Sequence, residues 1–292
     1  MKYASGSDFR KALETRLRKI SLQEHSSLAR LRKMVAFDRF LARLTFSQPG
    51  LWILKGGLAL QIRLGERART TRDIDFLLVE PQSNIHATLV EAISARHNDW
   101  FEFQVERAST SEGNSERFHV RSLLDGRPFE LFHVDIGIGD PMNEEAEMLS
   151  MPPLLSFAEI PPVVTPCFPI SQQIAEKAHA YTRPHIADTP SSRVKDLVDI
   201  LLMAELSSIS SGQLLLAIRS TFEARKTHSL PRNLPAPPTD WSNPFRKLAR
   251  ETGLQWTSIT EAFPACQKFL EPVLQSVPES KWNPHQWTWE PT

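Results

Sequence analysis

Two glycines between a short apolar run and a helix-like stretch constrain this chain more than any other feature. Leu51-Trp52-Ile53-Leu54 reads as a buried strand, runs into Lys55-Gly56-Gly57, and is followed by a helical pattern from Leu58 to Leu64. Glycine at such a turn lets the backbone approach closely and aims amides at an anion on the helix N-terminus. Sixteen residues past the second glycine comes Asp73-Ile74-Asp75, which continues into Phe76-Leu77-Leu78-Val79 and stops at Pro81. In a strand, residues i and i+2 share a face, so both carboxylates point the same way. Like charges at that spacing repel unless a cation lies between them, and hard oxygen donors favour Mg²⁺. The bland alternative is that Asp73 caps a turn and Asp75 pairs with an arginine. It loses ground because an acid entering a buried strand needs a partner.

A third acid, Asp135, lies inside Leu131-Phe132-His133-Val134-Asp135-Ile136. Placed beside the first pair, it would complete the carboxylate set that two-metal phosphoryl or nucleotidyl transfer uses to hold ions and activate a hydroxyl. Its alternative role is to end the strand before Gly137.

Helical periodicity covers the first fifty residues. Ser21-Leu22-Gln23-Glu24 fits a capping box. Leu28, Leu31, Met34 or Val35, Phe37, Leu41 and Leu44 then recur at steps of three or four, and Gln48-Pro49-Gly50 ends the pattern. A helix is predicted over 85–96, with strands over 101–107, 117–124 and 129–138. The last two are joined by Asp125-Gly126, a good hairpin turn. Six prolines within 152–169 predict an extended connector. Helices are predicted over 171–183, 191–206 and 211–225, with weaker ones from 243 to 277 after a proline-rich break at 231–238. Trp241, Trp256, Trp282, Trp287 and Trp289 cluster near the end and suggest a packed tail.

The 292 residues are 41% hydrophobic and 23% charged, enough apolar surface to offset ordering entropy. No apolar run approaches the roughly 20 residues of a membrane helix, and the first residues lack the apolar core of a secretion signal. Two cysteines, Cys167 and Cys266, are too few for a disulfide framework or a cysteine-rich zinc site. The expectation is a soluble, cytoplasmic protein without a membrane partner. Net charge is zero, yet residues 1–72 hold 16 Lys and Arg against 5 Asp and Glu. Such a basic region attracts polyanions, and Arg39 and Arg43 are expected to lie on an RNA-facing surface. His119, His133, His179 and His185 form no metal-spaced pair with cysteine. The absence of a Gly-x-Ser-x-Gly elbow and of a P-loop removes the serine-hydrolase and Walker-type readings.

Two further helical motifs carry charge on apolar faces. Lys177 shares a stripe with Ile174, Ala178 and Tyr181, so it either snorkels or reaches into a site. Asp196 sits on a helix that is apolar nearly all round, with Arg193 three residues before it as a natural partner.

Taken in order, Gly56-Gly57-x-Ala59-Leu60, Arg72-Asp73-Ile74-Asp75, Ala175-Glu176-Lys177-Ala178-His179-Ala180 and Arg193-Val194-Lys195-Asp196-Leu197-Val198-Asp199-Ile200 resemble the AbiEii/AbiGii (MenT-like) toxins. That family belongs to the DNA-polymerase-β-like nucleotidyltransferases. The resemblance implies a two-lobed α+β fold. Residues 1–165 would form a mixed sheet with flanking helices and a basic helical N-terminus, and 166–292 a mostly helical lobe. It implies a metal-dependent nucleotidyltransferase, the toxin of a bacterial toxin–antitoxin pair, with NTP as donor, the 3′ end of tRNA as acceptor and a separately encoded antitoxin. Asp73, Asp75 and Asp135 would bind Mg²⁺ and act in catalysis, Lys177 would grip the triphosphate, and Asp196 would support it or the attacking hydroxyl. Gly56, Gly57, position 58, Arg72 and Arg193 would also face the nucleotide, unless Arg193 and Lys195 are structural charges. The family usually has Ser or Thr at position 58, where this chain has Leu58. Rival readings are nucleotidylation of a protein or small molecule, and a non-catalytic nucleotide- or RNA-binding module.

Overall fold

The computed structural model describes residues 2–24, 26–108, 115–184 and 193–292. His185 and the first two residues of the helix predicted over 191–206 lie outside the described residues. The chain divides into two compact units: residues 1–63, 70–139 and 146–167, and residues 64–69, 140–145 and 168–292.

The first unit is built on a seven-stranded mixed sheet. Its elements are α1 (Gly6–Gln23), α2 (Leu28–Ser47), β1 (Trp52–Lys55), α3 (Gly56–Leu64), β2 (Asp73–Leu78), α4 (Ile85–Ile93), β3 (Phe101–Arg107), β4 (Ser115–Leu124), β5 (Arg127–Ile138), β6 (Glu147–Ser150) and β7 (Val164–Cys167). The strand order is β3-β4-β5-β2-β1-β7-β6. β2 runs parallel to β5, and β1 touches β7 in parallel at Leu54 and Cys167. The other neighbours are antiparallel. Alternation along β2, β4 and β5 sends Ile74, Phe76, Phe118, Val120, Phe132, Val134 and Ile136 into the core. There α2 packs Phe37 and Phe40 edge-on against Phe132, at ring separations of 5.1 and 5.4 Å.

Two sequence readings in this unit are corrected. Ser21 to Gln23 end α1 rather than open a helix, and the Ser21 hydroxyl donates to the Ser26 carbonyl at 2.6 Å. The working cap lies at Ser5, whose hydroxyl oxygen accepts from the Asp8 amide at 3.1 Å. The S-x-x-E pattern reports only local bonding potential, whereas buried Phe9, Leu13 and Leu17 set where α1 runs. The proline-rich segment is also not wholly an extended connector. It forms a 3₁₀ turn at Ser156–Ala158 and then β7, which tolerates Pro166 because its bridge to β1 falls at Cys167.

The second unit is mostly helical: α5 (Ile170–Thr182), α6 (Val194–Leu206), α7 (Ser211–Arg225), α8 (Ser242–Thr252) and α9 (Ile259–Leu274), followed by the hairpin β8 (Ser280–Asn283) and β9 (Thr288–Pro291). The hairpin was not anticipated. Its tryptophans anchor it: Trp282 is buried, donates Nε1–H to the Ala204 carbonyl at 2.8 Å, and packs against Phe269, Trp287 and Trp289. No helix among the described residues is long and apolar enough to cross a membrane.

Candidate active site

The acids of the first unit are placed by strand register. β1 ends at Lys55, opposite Asp75, and α3 begins directly at Gly56, whose φ of +64° is a conformation that favours glycine. Asp75 leans over this turn. A Cβ built on Gly56 would lie 2.0 Å from the Asp75 Oδ2 atom, so the missing side chain makes the room that the carboxylate uses. In the parallel β2–β5 ladder, Asp75 sits beside Asp135 and Asp73 beside His133. All three acids therefore lie on one face of the sheet, which spacing implied for Asp73 and Asp75 and the β2–β5 register adds for Asp135, and all three are half-buried.

They do not, however, close into a three-carboxylate cluster. β4 places Arg117 opposite Asp135 and His119 opposite His133. Arg117 makes a bidentate pair with Asp135, Nε and Nη2 each at 2.7 Å from a carboxylate oxygen. That hydrogen-bonded pair, together with the negative field of Asp73 and Asp75, raises the Arg117 pKa. Asp73 Oδ1 lies 3.1 Å from His133 Nδ1, and the His119 and His133 rings meet edge-on at 4.8 Å. Among the described residues no group of three or more His, Cys, Asp or Glu is arranged to hold a metal ion. The expected Asp73–Asp75–Asp135 metal set is thus present in register, but Asp135 has both oxygens on Arg117.

Leu58, expected to face the nucleotide, is the third residue of α3 and is fully buried in the core, where it packs. Arg72 is exposed at the entry to β2. The basic surface expected at Arg39 and Arg43 is likewise absent. Both are buried. Arg43 donates to both oxygens of Asp99, at 3.1 and 2.8 Å, and lies over the Phe103 ring; Arg39 pairs with Asp38. Counting charge along α2 could not reveal that Asp99, 56 residues away, neutralises Arg43.

In the second unit, α5 and α6 bring together the other charged motif. Lys177 emerges from the buried stripe of Ile174, Ala178 and Tyr181 and places Nζ 3.0 Å from Asp196 Oδ1 and 2.8 Å from Asp199 Oδ2. Burial opposes the ammonium charge, but Asp199 and Asp196 outweigh it, and the Lys177 pKa rises. Asp199 is fully buried. Desolvation disfavours its charge, yet Lys177 and Arg69 together hold its pKa below the usual carboxylate value. Arg69 grips it with two hydrogen bonds of 3.2 and 3.1 Å. Arg193 reaches Asp196 at 3.5 Å. Two carboxylates thus face three cations. The sequence reading missed Asp199 and Arg69 as site residues; Asp199, three residues after Asp196 on an apolar helix, was the available signal. Lys195 is half-buried, and desolvation lowers its pKa.

MenT4, a nucleotidyltransferase toxin from Mycobacterium tuberculosis, aligns over 89% of this chain and 97% of its own at 18% identity, with a TM-score of 0.56, and shares the fold. JHP933 from Helicobacter pylori aligns over 84% of this chain and 95% of its own at 14% identity, with a TM-score of 0.43. No curated protein sequence matches the chain. The model of the AbiEii nucleotidyl transferase toxin of type IV toxin–antitoxin systems matches residues 39–272. With a match over most of its length, the chain belongs to the AbiEii family of nucleotidyltransferase toxins.

Proposed function

We propose that this toxin moves a nucleotidyl group from an NTP to a hydroxyl of RNA, the 3′ end of tRNA being the acceptor that the family resemblance implies. The reading rests on one observation above the others. Asp73 and Asp75 share a face of β2, and Asp75 is seated on the side-chain-free Gly56 at the strand-to-helix turn. Two half-buried carboxylates of hard oxygen donors on one strand face suit a divalent cation such as Mg²⁺. When bound, that ion would neutralise phosphate charge and favour ionisation of the acceptor hydroxyl.

The protein's own groups divide the remaining work. The Gly56-Gly57 turn presents the N-terminus of α3 to an anion, which suits a nucleotide phosphate. The His133 ring holds the Asp73 carboxylate in place, and Arg117 holds Asp135. Asp135 joins the other two acids, as ligand or base, once Arg117 releases it. In the second unit, Lys177 and Arg193 are the proposed triphosphate contacts and Asp196 their support. The acceptor oxygen bonds to the α-phosphorus, pyrophosphate leaves, and the hydroxyl proton passes to a carboxylate of the β2–β5 face. The proposed setting is the cytoplasm, with a separately encoded antitoxin as partner.

Incubating the protein with each labelled NTP, Mg²⁺ and total RNA tests the reading. Wild type is expected to label RNA and to arrest bacterial growth, and Asp75→Asn, folded by circular dichroism, to do neither. Label on protein or on small molecules alone would move the acceptor out of RNA. Equal toxicity of both proteins with no labelled product would remove nucleotidyl transfer as the mode of action.

A further inference from the structure

β5 is longer than its parallel neighbour. Its pairing with β2 starts only at His133 opposite Asp73, so Leu131 and Phe132 extend past the start of β2. A cavity of about 360 Å³ opens there, and its lining includes Lys33, Arg72, His119, Arg121, Leu131 and His133. The outward positions of β4 alternate Arg117, His119 and Arg121, all exposed, over the buried Phe118 and Val120. Period-two alternation thus lays a basic and aromatic strip on the same sheet face as the acids.

Several buried or half-buried arginines of the unit are already neutralised. Arg32, Arg39, Arg43 and Arg117 are each held by a carboxylate. Lys33, Arg72 and Arg121 carry no ion pair to any described residue, and among the described residues Glu106 is the one acid lining the cavity. An exposed imidazole, that of His119, stands edge-on to His133, and Leu131 is 64% exposed beside them. Cations lining one cavity with ring and apolar surfaces suit a nucleotide unit of a single strand, which offers a phosphate and a base face together.

Sheet order separates this cavity from the nucleotide turn. In the sequence β4-β5-β2-β1, the Gly56-Gly57 turn lies on the β1 side of the acids and the cavity on the β5 side. His133 connects the cavity directly to the chemistry, since it lines the cavity and contacts Asp73. We propose that this cavity is the acceptor-strand subsite: it takes the nucleotide preceding the reacting end of a single-stranded RNA, with its phosphate on Lys33, Arg72 and Arg121 and its base against His119. The assignment rests on the RNA-transfer reading above and adds to it the place where the acceptor binds.

The test uses a fluorescein-labelled single-stranded oligoribonucleotide, anisotropy titrations across a salt series, and the full chain. Lys33→Glu with Arg121→Glu is expected to weaken binding about tenfold or more and to flatten the salt slope by roughly the 0.7 per lost phosphate contact typical of single strands. His119→Ala is expected to weaken it about fivefold or more at an unchanged slope, as loss of a stacking surface does. NTP binding is expected to stay unchanged in both. Asp75→Asn is expected to bind the oligonucleotide like wild type while transferring nothing. Unchanged oligonucleotide affinity in the folded double variant would overturn the subsite. So would full competition by duplex RNA or by tripolyphosphate, because either would show a plain anion patch. If wild type labels no RNA but its oligonucleotide binding still depends on Lys33 and Arg121, the transfer reading fails and the subsite stands. If RNA is labelled with equal KM by wild type and the double variant, the subsite fails and the transfer reading stands.

Discussion

The carboxylate of Asp75 fills space next to Gly56 that any other residue would need, with Oδ2 only 2.0 Å from where a Cβ would begin. Gly56→Ala is therefore expected to do two kinds of damage. It forces an L-residue into a positive φ, at a cost of about 1–2 kcal/mol, and it expels the Asp75 carboxylate. Denaturant titration should show a loss of at least that size, and labelled-nucleotide transfer should fall to the level of Asp75→Asn. An alanine variant with full activity would show that Asp75 does not act from this seat.

Leu58 stands where the family's hydroxyl usually lies, and it is fully buried. Leu58→Ser is expected to lower stability by about 2–5 kcal/mol, as large-to-small core changes do, and not to raise transfer. A rise in activity at unchanged melting temperature would mean that the position faces the nucleotide after all.

Lys177 lies between two buried carboxylates. Lys177→Met leaves Asp199 to Arg69 and Asp196 to Arg193, so the loss is expected to stay below the about 3–5 kcal/mol of a buried pair broken outright. Adding Asp199→Asn to the same chain is expected to restore part of that loss in urea titrations. Activity lost by Lys177→Met and not regained alongside stability would identify a contact to the triphosphate beyond the structural one.

His179 is buried against Phe222 and bonded to Thr227, and burial, with Arg225 and His228 nearby, pulls its pKa down from 6.5 to about 4. The unfolded chain takes up this proton near pH 6.5 and the folded chain only near 4. Between those values the unfolded state binds more protons, so stability is full above pH 6.5 and declines as pH falls toward 4. His179→Gln is expected to flatten that decline in thermal melts. A decline of undiminished steepness would assign it to other groups.

The strongest local signals in the sequence were also the ones the structure kept. The strand over 101–107, the helix over 211–225 and the Asp125-Gly126 turn appear at those residues, and Asp73 and Asp75 share their strand face. Four-residue strands without an apolar run were illegible, as β6, β7, β8 and β9 show, whereas β1, equally short, was legible from Leu51 to Leu54. Distant partners were illegible for a different reason. Arg43 on α2 looks like a solvated cation until Asp99 is brought to it, and Asp135 looks like a free metal ligand until β4 delivers Arg117. Residue type and spacing report which groups can do chemistry; the third dimension decides which of them are already engaged.

The parallel pairing of β2 with β5 has a consequence in time. Asp75 and Asp135 become neighbours only by closing a loop of some sixty residues that contains α4, β3 and β4. Contacts of such long sequence separation form late, after local hairpins and helices. A chain still emerging from the ribosome, with β2 made and β5 not yet released, holds two of its acids without their neighbour. Fragments that end before Asp135 lack the third acid of the β2–β5 face, so a growth-arresting activity that needs that face would appear only after most of the first unit has been made.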